Sequence, residues 1–298
     1  MGRTNRHMIQ GGFSFLTNAY LPGFLNGSIF TGPTKIACVP GLSCYSCPGA
    51  LGSCPIGAMQ FVLGSRDYSF SLYITGFLVT IGALSGRFTC GWLCPFGLLQ
   101  DLLHKIPFRI KILTVKGDRY LRLIKYALLL VFVILFPLFV LDIAGQGEQG
   151  FCKWICPSGT IMAGWPLVAA NDGIRNAIGF LFAWKNLILI ALLLISIVIY
   201  RPFCRYLCPL GAIYGWFNPV ALYRFHIDEA SCDKCGICQN ACKLNIPVFE
   251  KPNSPDCIRC NDCIHACPNG SIQKGIAGKE HPVYDSMKRI VEKEGDPV

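Results

Sequence analysis

The sequence predicts an all-α polytopic membrane protein with about four transmembrane helices and an internal pseudo-twofold repeat, followed by a small cysteine-rich C-terminal domain. Three observations predict it. Of the 298 residues 52% are hydrophobic and 15% charged, with a mean hydropathy of +0.45, too apolar for an ordinary soluble domain of this length. Apolar stretches of membrane-spanning length recur along the chain. The 18 cysteines fall in short motifs with proline and glycine.

The spans come in order. Met8 to Phe30 is apolar but interrupted by glycines, Asn18, Pro22 and Asn26, and reads as a broken span. Tyr68 to Gly86, Leu121 to Leu141 with Pro137 near its end, and Trp184 to Tyr200 read as continuous ones. Short cytoplasmic loops collect Lys and Arg. Eight lie from Arg87 to Lys125, against two each in stretches 31–67 and 143–182; Arg3 and Arg6 precede the first span, and Arg201 and Arg205 follow the last. Both termini and the C-terminal domain are therefore expected in the cytoplasm. The stretch after Arg6 shows no tight apolar core or small-residue cleavage site of a signal peptide.

A repeat organises the membrane part, residues 1–218. Arg87-Phe-Thr-Cys90-Gly-Trp-Leu-Cys94-Pro-Phe-Gly97 aligns with Arg201-Pro-Phe-Cys204-Arg-Tyr-Leu-Cys208-Pro-Leu-Gly211, each after a span, and related Cys-Pro-x-Gly elements start at Cys54 and Cys156. Proline suits the first turn of a helix, so each motif should place a cysteine at a helix N-terminus, where free amides and the dipole favour a thiolate. The short apolar stretches after the motifs, at 96–106, 158–168 and 210–217, are expected as surface-lying or re-entrant helices, tolerated at membrane depth only where protein buries them.

Charge placement puts Cys90, Cys94, Cys204 and Cys208 on the cytoplasmic side as one four-cysteine iron–sulfur site. Cys38, Cys44, Cys47, Cys54, Cys152 and Cys156 fall on the opposite side. The repeat groups Cys47, Cys54, Cys152 and Cys156 as a further cluster, leaving Cys38 and Cys44 as alternative ligands or a redox pair. A self-contained site of Cys38, Cys44, Cys47 and Cys54 is the other partition, and disulfides in an oxidising compartment a third. Spacing does not choose among them.

The C-terminal domain, residues 219–273, reads Cys232-x2-Cys235-x2-Cys238-x3-Cys242 and then Cys257-x2-Cys260-x2-Cys263-x3-Cys267-Pro268. Three cysteines at this interval wrap one cube from a single loop while the fourth reaches its neighbour. This is the run of a ferredoxin-like 2[4Fe–4S] domain. One cluster would take Cys232, Cys235, Cys238 and Cys267, the other Cys257, Cys260, Cys263 and Cys242. Lys243 stands where proline usually follows the fourth cysteine. Residues 274–298 form a charged tail.

The formal charge of +10 counts thiols as neutral, whereas an oxidised cube with four thiolates carries about −2. Basic residues near the motifs are then expected to balance clusters and anionic membrane lipid. No basic stripe with interleaved aromatics points to nucleic acid, no glycine-rich loop to a nucleotide, and no Cys-x-x-Cys-His to haem.

Cys90-Gly-Trp-Leu-Cys94-Pro, Cys204-Arg-Tyr-Leu-Cys208-Pro and Asn253-Ser-Pro-Asp-Cys257-Ile-Arg-Cys260 resemble the motifs of membrane-bound polyferredoxins of the NapH and NosR type, over residues 60–270. The resemblance implies four spans, cytoplasmic ferredoxin clusters and electron exchange between the quinone pool and a redox partner. The cysteine-rich stretch 38–54 and the Cys152/Cys156 motif are additions to that pattern, and the flavin and copper-related domains of NosR-like proteins have no counterpart here.

Redox centres toward both faces of a hydrocarbon layer about 30 Å thick would make the chain an electron carrier. It would link a cytoplasmic donor or acceptor with an extracytoplasmic flavoprotein or reductase, within a larger complex. A NapH-like quinol dehydrogenase component is the alternative, with Trp92, Asp101, His104 and Trp154 as candidates for a quinone pocket. A redox-sensing or metalloenzyme-maturation protein is the reading from a different class.

Overall fold

The structure, a computed structural model, describes residues 3–65, 68–142 and 145–276; the charged tail lies beyond them except for its first residues. Among these residues, Asp118–Phe139 and Phe180–Val198 are the two helices long and apolar enough to cross a bilayer. Helix Tyr68–Ser85 contributes a shorter apolar stretch, Leu72–Ser85. Leu187, Ile190 and Leu194 lie exposed on the Phe180–Val198 helix while Leu189 and Leu192 are buried, the pattern of a helix with one face to protein and one to lipid. In Asp118–Phe139 the ladder widens to a π-helical stretch at Leu129–Leu135, just ahead of Pro137, whose ring lacks an N–H and crowds the preceding turn.

The interrupted N-terminal stretch forms two helices, Arg3–Thr17 and Leu21–Asn26. Asn18 ends the first by donating to Ser14 O at 2.9 Å, and Gly27 closes the second in the left-handed region, φ 61°, where glycine carries no Cβ penalty. The first helix packs on Pro95–His104. Its Arg6 reaches Asp101 at 3.1 Å, and Gln10 Nε2 donates to Cys94 O at 2.7 Å.

Between the long helices lies a layer of short helices that each begin at a proline: Pro55–Ser65, Pro95–His104, Pro157–Gly159 and Pro209–Phe217. Their buried residues Ile56, Phe96, Leu210 and Tyr214 share one core with Phe151 and Phe203 from the neighbouring turns, with Phe96 and Phe203 edge to face at 5.1 Å, a geometry favoured by the ring quadrupoles.

The C-terminal part pairs strands Tyr223–Ile227 and Ile272–Ile276 antiparallel, Phe225 opposite Lys274, around helices Ile237–Ala241 and Asp262–Ala266. It is seated on the membrane part by buried polar contacts. Arg259 donates to Ser85 O and Asn218 O, both at 2.8 Å, and Trp92 Nε1 donates to Arg259 O at 3.0 Å. Asn218, at the expected domain boundary, donates to Ser254 O at 2.9 Å and Cys257 O at 2.7 Å. Gly91 leaves room for the Ile258 carbonyl, which any Cβ would strike.

Candidate iron–sulfur centres

Three of the four Cys-Pro-x-Gly elements, at Cys94, Cys156 and Cys208, are built the same way. Proline drives the preceding residue out of the helical region, and Cys94, Cys156 and Cys208 accordingly sit at ψ 120°, 111° and 113° as N-cap residues. Their amides close a wide turn onto the carbonyl five residues back: Cys94 to Thr89 at 3.1 Å, Cys156 to Phe151 at 2.9 Å and Cys208 to Phe203 at 2.9 Å. The glycine N–H then turns toward the sulfur, as Gly211 N does to Cys208 Sγ at 3.4 Å. Gly57, Gly97 and Gly159 serve Cys54, Cys94 and Cys156 likewise. Burial pushes the Cys94 thiol up to about 12 against these donors, so a thiolate is held here only with positive charge or metal beside it.

Two arginines supply charge to the inner set, Cys90, Cys94, Cys204 and Cys208. Arg87 Nη2 donates to Cys204 O and Arg201 Nη1 donates to Cys90 O, both at 2.7 Å. Arg87 and Arg201 are fully buried. The motif glycines make room for them: a Cβ on Gly97 would lie 3.1 Å from Arg201 Nη1, and one on Gly211 3.0 Å from Arg87 Nη2. Gln100 Nε2 points at Cys204 Sγ from 3.2 Å.

A cavity of about 530 Å³ is lined by Cys44, Cys54, Cys152 and Cys156, with Lys153 and Lys185. Cys47, expected from the repeat, does not line it; Cys44 does. The reason is a tight turn in which Cys47 N donates to Cys44 O at 3.0 Å. Cys38 is tied instead to a bridge with Ser53. Gln60 Nε2 lies 3.1 Å from Cys152 Sγ.

Inner and outer sets are neighbours. Gly41 lies against Cys94, a Cβ there falling 3.2 Å from its Cα, and Ser158 Oγ donates to Leu42 O at 3.2 Å. Cys44 follows Gly41 by three residues, a reach of at most about 11 Å. The sets are therefore not held apart by the hydrocarbon thickness of about 30 Å, as placement on opposite sides implied. Tyr214 sits in the electrostatic neighbourhood of Cys90, Cys54, Cys38 and Cys94, and its buried hydroxyl has no partner within the chain.

In the C-terminal part, Cys232, Cys235, Cys238 and Cys267 line one small cavity with Ile227, Phe249, Pro268 and Ile272. Cys257, Cys260 and Cys242 share the electrostatic surroundings of Cys263, as does the adjoining Cys238. Both loops turn through left-handed residues flanking their middle cysteine: Lys234 and Gly236 around Cys235, Arg259 and Asn261 around Cys260, with φ from 52° to 76°. Non-glycine residues there cost about 1–3 kcal/mol each, and the alternation folds peptide N–H groups into an anion-binding concavity common at Fe–S sites. Lys243 lies over the Tyr200 ring at 4.8 Å, adding a contact to the membrane part at the position where proline was expected.

No two of the eighteen cysteines are joined in a disulfide. Among the described residues no three His, Cys, Asp or Glu side chains gather around a single metal ion. The residues fit a [4Fe–4S] group: all-thiol donor sets, peptide and side-chain donors turned toward sulfur, buried arginines, and an orphaned hydroxyl among the thiols.

Of the quinone candidates, Asp101 accepts from Arg201 at 2.6 Å through both oxygens and Trp92 is bonded to Arg259 O, so both are committed to packing. Trp154 Nε1 donates to Glu148 at 2.9 Å. His104 stacks edge-on against Tyr200 at 5.3 Å. Sequence reasoning missed Gln60 and Gln100; their common place six residues after a Cys-Pro cysteine was the available signal.

The family model described as a 4Fe-4S binding domain matches residues 69–112, 126–167 and 181–227. The uncharacterised protein MJ0749 of Methanocaldococcus jannaschii is 27% identical over 72% of this chain and 74% of its own. The ferredoxin-type protein NapH of Haemophilus influenzae is 28% identical over 69% of each chain. The regulatory protein NosR of Pseudomonas aeruginosa is 29% identical over 58% of this chain and 22% of its own. No solved structure matches.

Proposed function

Because this chain belongs to the NapH/NosR-type family of membrane-bound 4Fe–4S polyferredoxins, we propose that it relays electrons between its ferredoxin part and an acceptor beyond the membrane, as a subunit of a redox complex. It is an iron–sulfur electron-transfer protein; the route and the partners are the proposal. The observation that carries it is the contiguity of the cysteine sets. The Cys257–Cys260 loop is seated on the helix bearing Cys90 through Asn218, Trp92 and Arg259, and the Gly41–Cys44 segment runs from Cys94 to the outer cavity.

The holders proposed are Cys232, Cys235, Cys238 and Cys267; Cys257, Cys260, Cys263 and Cys242; Cys90, Cys94, Cys204 and Cys208; and a fourth set on the outer cavity. When bound, a [4Fe–4S] group takes up and releases one electron. The chain's own residues bury the thiols and place Arg87 and Arg201 to offset their charge. A low-potential cytoplasmic donor would dock at the ferredoxin part, where Cys235 is exposed. An extracytoplasmic flavoprotein or reductase would dock at the outer cavity, beside Lys153 and Lys185.

We read the membrane part as four spans related by a pseudo-twofold axis, with the termini in the cytoplasm; the reciprocal arginine bonds from Arg87 and Arg201 support that symmetry. The test is electron flow across sealed proteoliposomes, from an impermeant reductant on one side to a trapped acceptor on the other. Flow that needs the intact protein is expected. Reduction of the clusters with no flow overturns the transmembrane reading, and flow that requires a quinone in the lipid moves it to the quinol-linked alternative.

A further inference from the structure

We infer that the outer cavity is a [4Fe–4S] site built as a copy of the inner one, held by Cys44, Cys54, Cys152 and Cys156, and that Gln60 and Gln100 are matched positioning residues that set the potentials of the two sites. The inference rests on the electron-transfer reading above and extends it to particular ligands and donors.

The correspondence begins at the two glutamines. Gln60 stands six residues after Cys54 and Gln100 six after Cys94, each on the helix that its Cys-Pro pair starts. Gln60 Nε2 donates to Ile56 O at 3.2 Å and lies 3.1 Å from Cys152 Sγ, while its Oε1 accepts from Phe151 N at 3.0 Å. Gln100 Nε2 donates to Phe96 O at 3.3 Å and lies 3.2 Å from Cys204 Sγ, while its Oε1 accepts from Phe203 N at 3.2 Å. In each case one buried amide clamps the residue before a cysteine and turns a donor toward that cysteine's sulfur. Two bonds between segments about a hundred residues apart, to the cysteine sulfur and to the preceding phenylalanine N–H, recur at both sites. Helix periodicity alone does not produce that.

The copies differ at one corner. Cys90 stands four residues before Cys94, whereas Ala50, buried and without sulfur, stands four before Cys54. Cys44 takes that corner from a neighbouring loop: it lines the cavity with Cys54, Cys152 and Cys156, and its sulfur lies beside Gly159, where a Cβ would be in ordinary contact at 3.7 Å. The surrounding charge differs too. Arg87 and Arg201 are sealed in the inner site, while the outer site has Lys185, which donates to Cys152 O at 3.1 Å.

A reduced cube is more negative than an oxidised one, so an N–H donor to a ligand sulfur stabilises it and raises the potential. Gln60 would do this at the outer site and Gln100 at the inner one.

The test counts iron and acid-labile sulfide per full-length chain, prepared without oxygen in detergent, alongside an EPR-monitored redox titration. Cys44→Ser should lose about four irons or alter one EPR component, and Cys47→Ser should keep all of them. Gln60→Leu and Gln60→Glu should retain iron and move one component to lower potential; Gln100→Leu should move a different one. Glu keeps the acceptor for Phe151 N–H and removes the donor, which separates tuning from a purely structural clamp. The ferredoxin components serve as the internal check of folding.

Iron loss in Cys47→Ser with none in Cys44→Ser overturns the ligand set but leaves the electron-transfer reading intact. Iron-replete Gln60→Glu with an unmoved midpoint overturns the tuning role. Wild-type protein with about twelve irons, unchanged by either cysteine variant, removes the outer site and with it the outward leg of the proposed route.

Discussion

Asp101 centres the charge balance behind the inner site. It is buried, accepts from Arg201 Nε and Nη2 at 2.6 Å, and lies 3.1 Å from Arg6. Burial pushes its carboxyl up, but Arg201 and Arg6 outweigh that and hold it at about 2. A depressed value contributes stability above the unfolded value of about 3.9, lost as pH falls toward 2, so the pair is at full strength near neutrality. Arg201→Met leaves Asp101 with one cation and removes the bond to Cys90 O; it should cost about 3–5 kcal/mol, read as a lower thermal midpoint in detergent. Arg201→Lys should recover only part, because an ammonium cannot serve both oxygens and the carbonyl in one plane. None of this was legible in the sequence, where Arg6, Arg87 and Arg201 counted as loop charges flanking spans. They are instead among the most buried side chains of the protein.

At the scale of elements, the Asn253–Cys260 segment joins the two parts. Asp256 accepts from Lys125 at 2.5 Å and Arg122 at 2.7 Å, and pairs with Arg87 at 3.3 Å. Burial pushes its carboxyl up, yet Arg87, Lys125 and Arg122 hold it well below the usual carboxylate range. Asp256→Asn leaves three cations around a neutral amide and should cost about 3–5 kcal/mol. The expected signature is faster proteolytic release of the ferredoxin part, with the long apolar helices still resistant. The short elements were the legible ones: proline fixed the starts at Pro55, Pro95, Pro157 and Pro209 because its effect on the preceding cysteine is local. The π-helical turn at Phe203–Leu207 was not, nor was the bond by which Gln100 holds Phe203 N from another helix.

At the scale of the whole molecule, stability is unevenly distributed. The ferredoxin part buries few large side chains, Phe225, Ile246, Val248, Ile258 and Ile272 among them, and small domains of this kind lean on their metal groups. Iron removal by anaerobic chelation should therefore raise hydrogen exchange first in residues 223–276, while Phe180–Val198 stays protected; equal loss in both would refute this. The sequence by itself determined the class of chemistry, the apolar character of the chain and the helix starts, because loop wrapping, hydropathy and proline sterics act within a few residues. Tertiary structure decided which thiol completes the outer cavity, which glutamines face sulfur, and that the inner and outer sets adjoin. It also leaves two helices of full spanning length among the described residues where about four were expected. Each of those outcomes depends on groups brought together from distant segments, such as Gln60 with Cys152 or Arg87 with Cys204, and spacing along the chain carries no signal of a contact made only when buried donors must find acceptors.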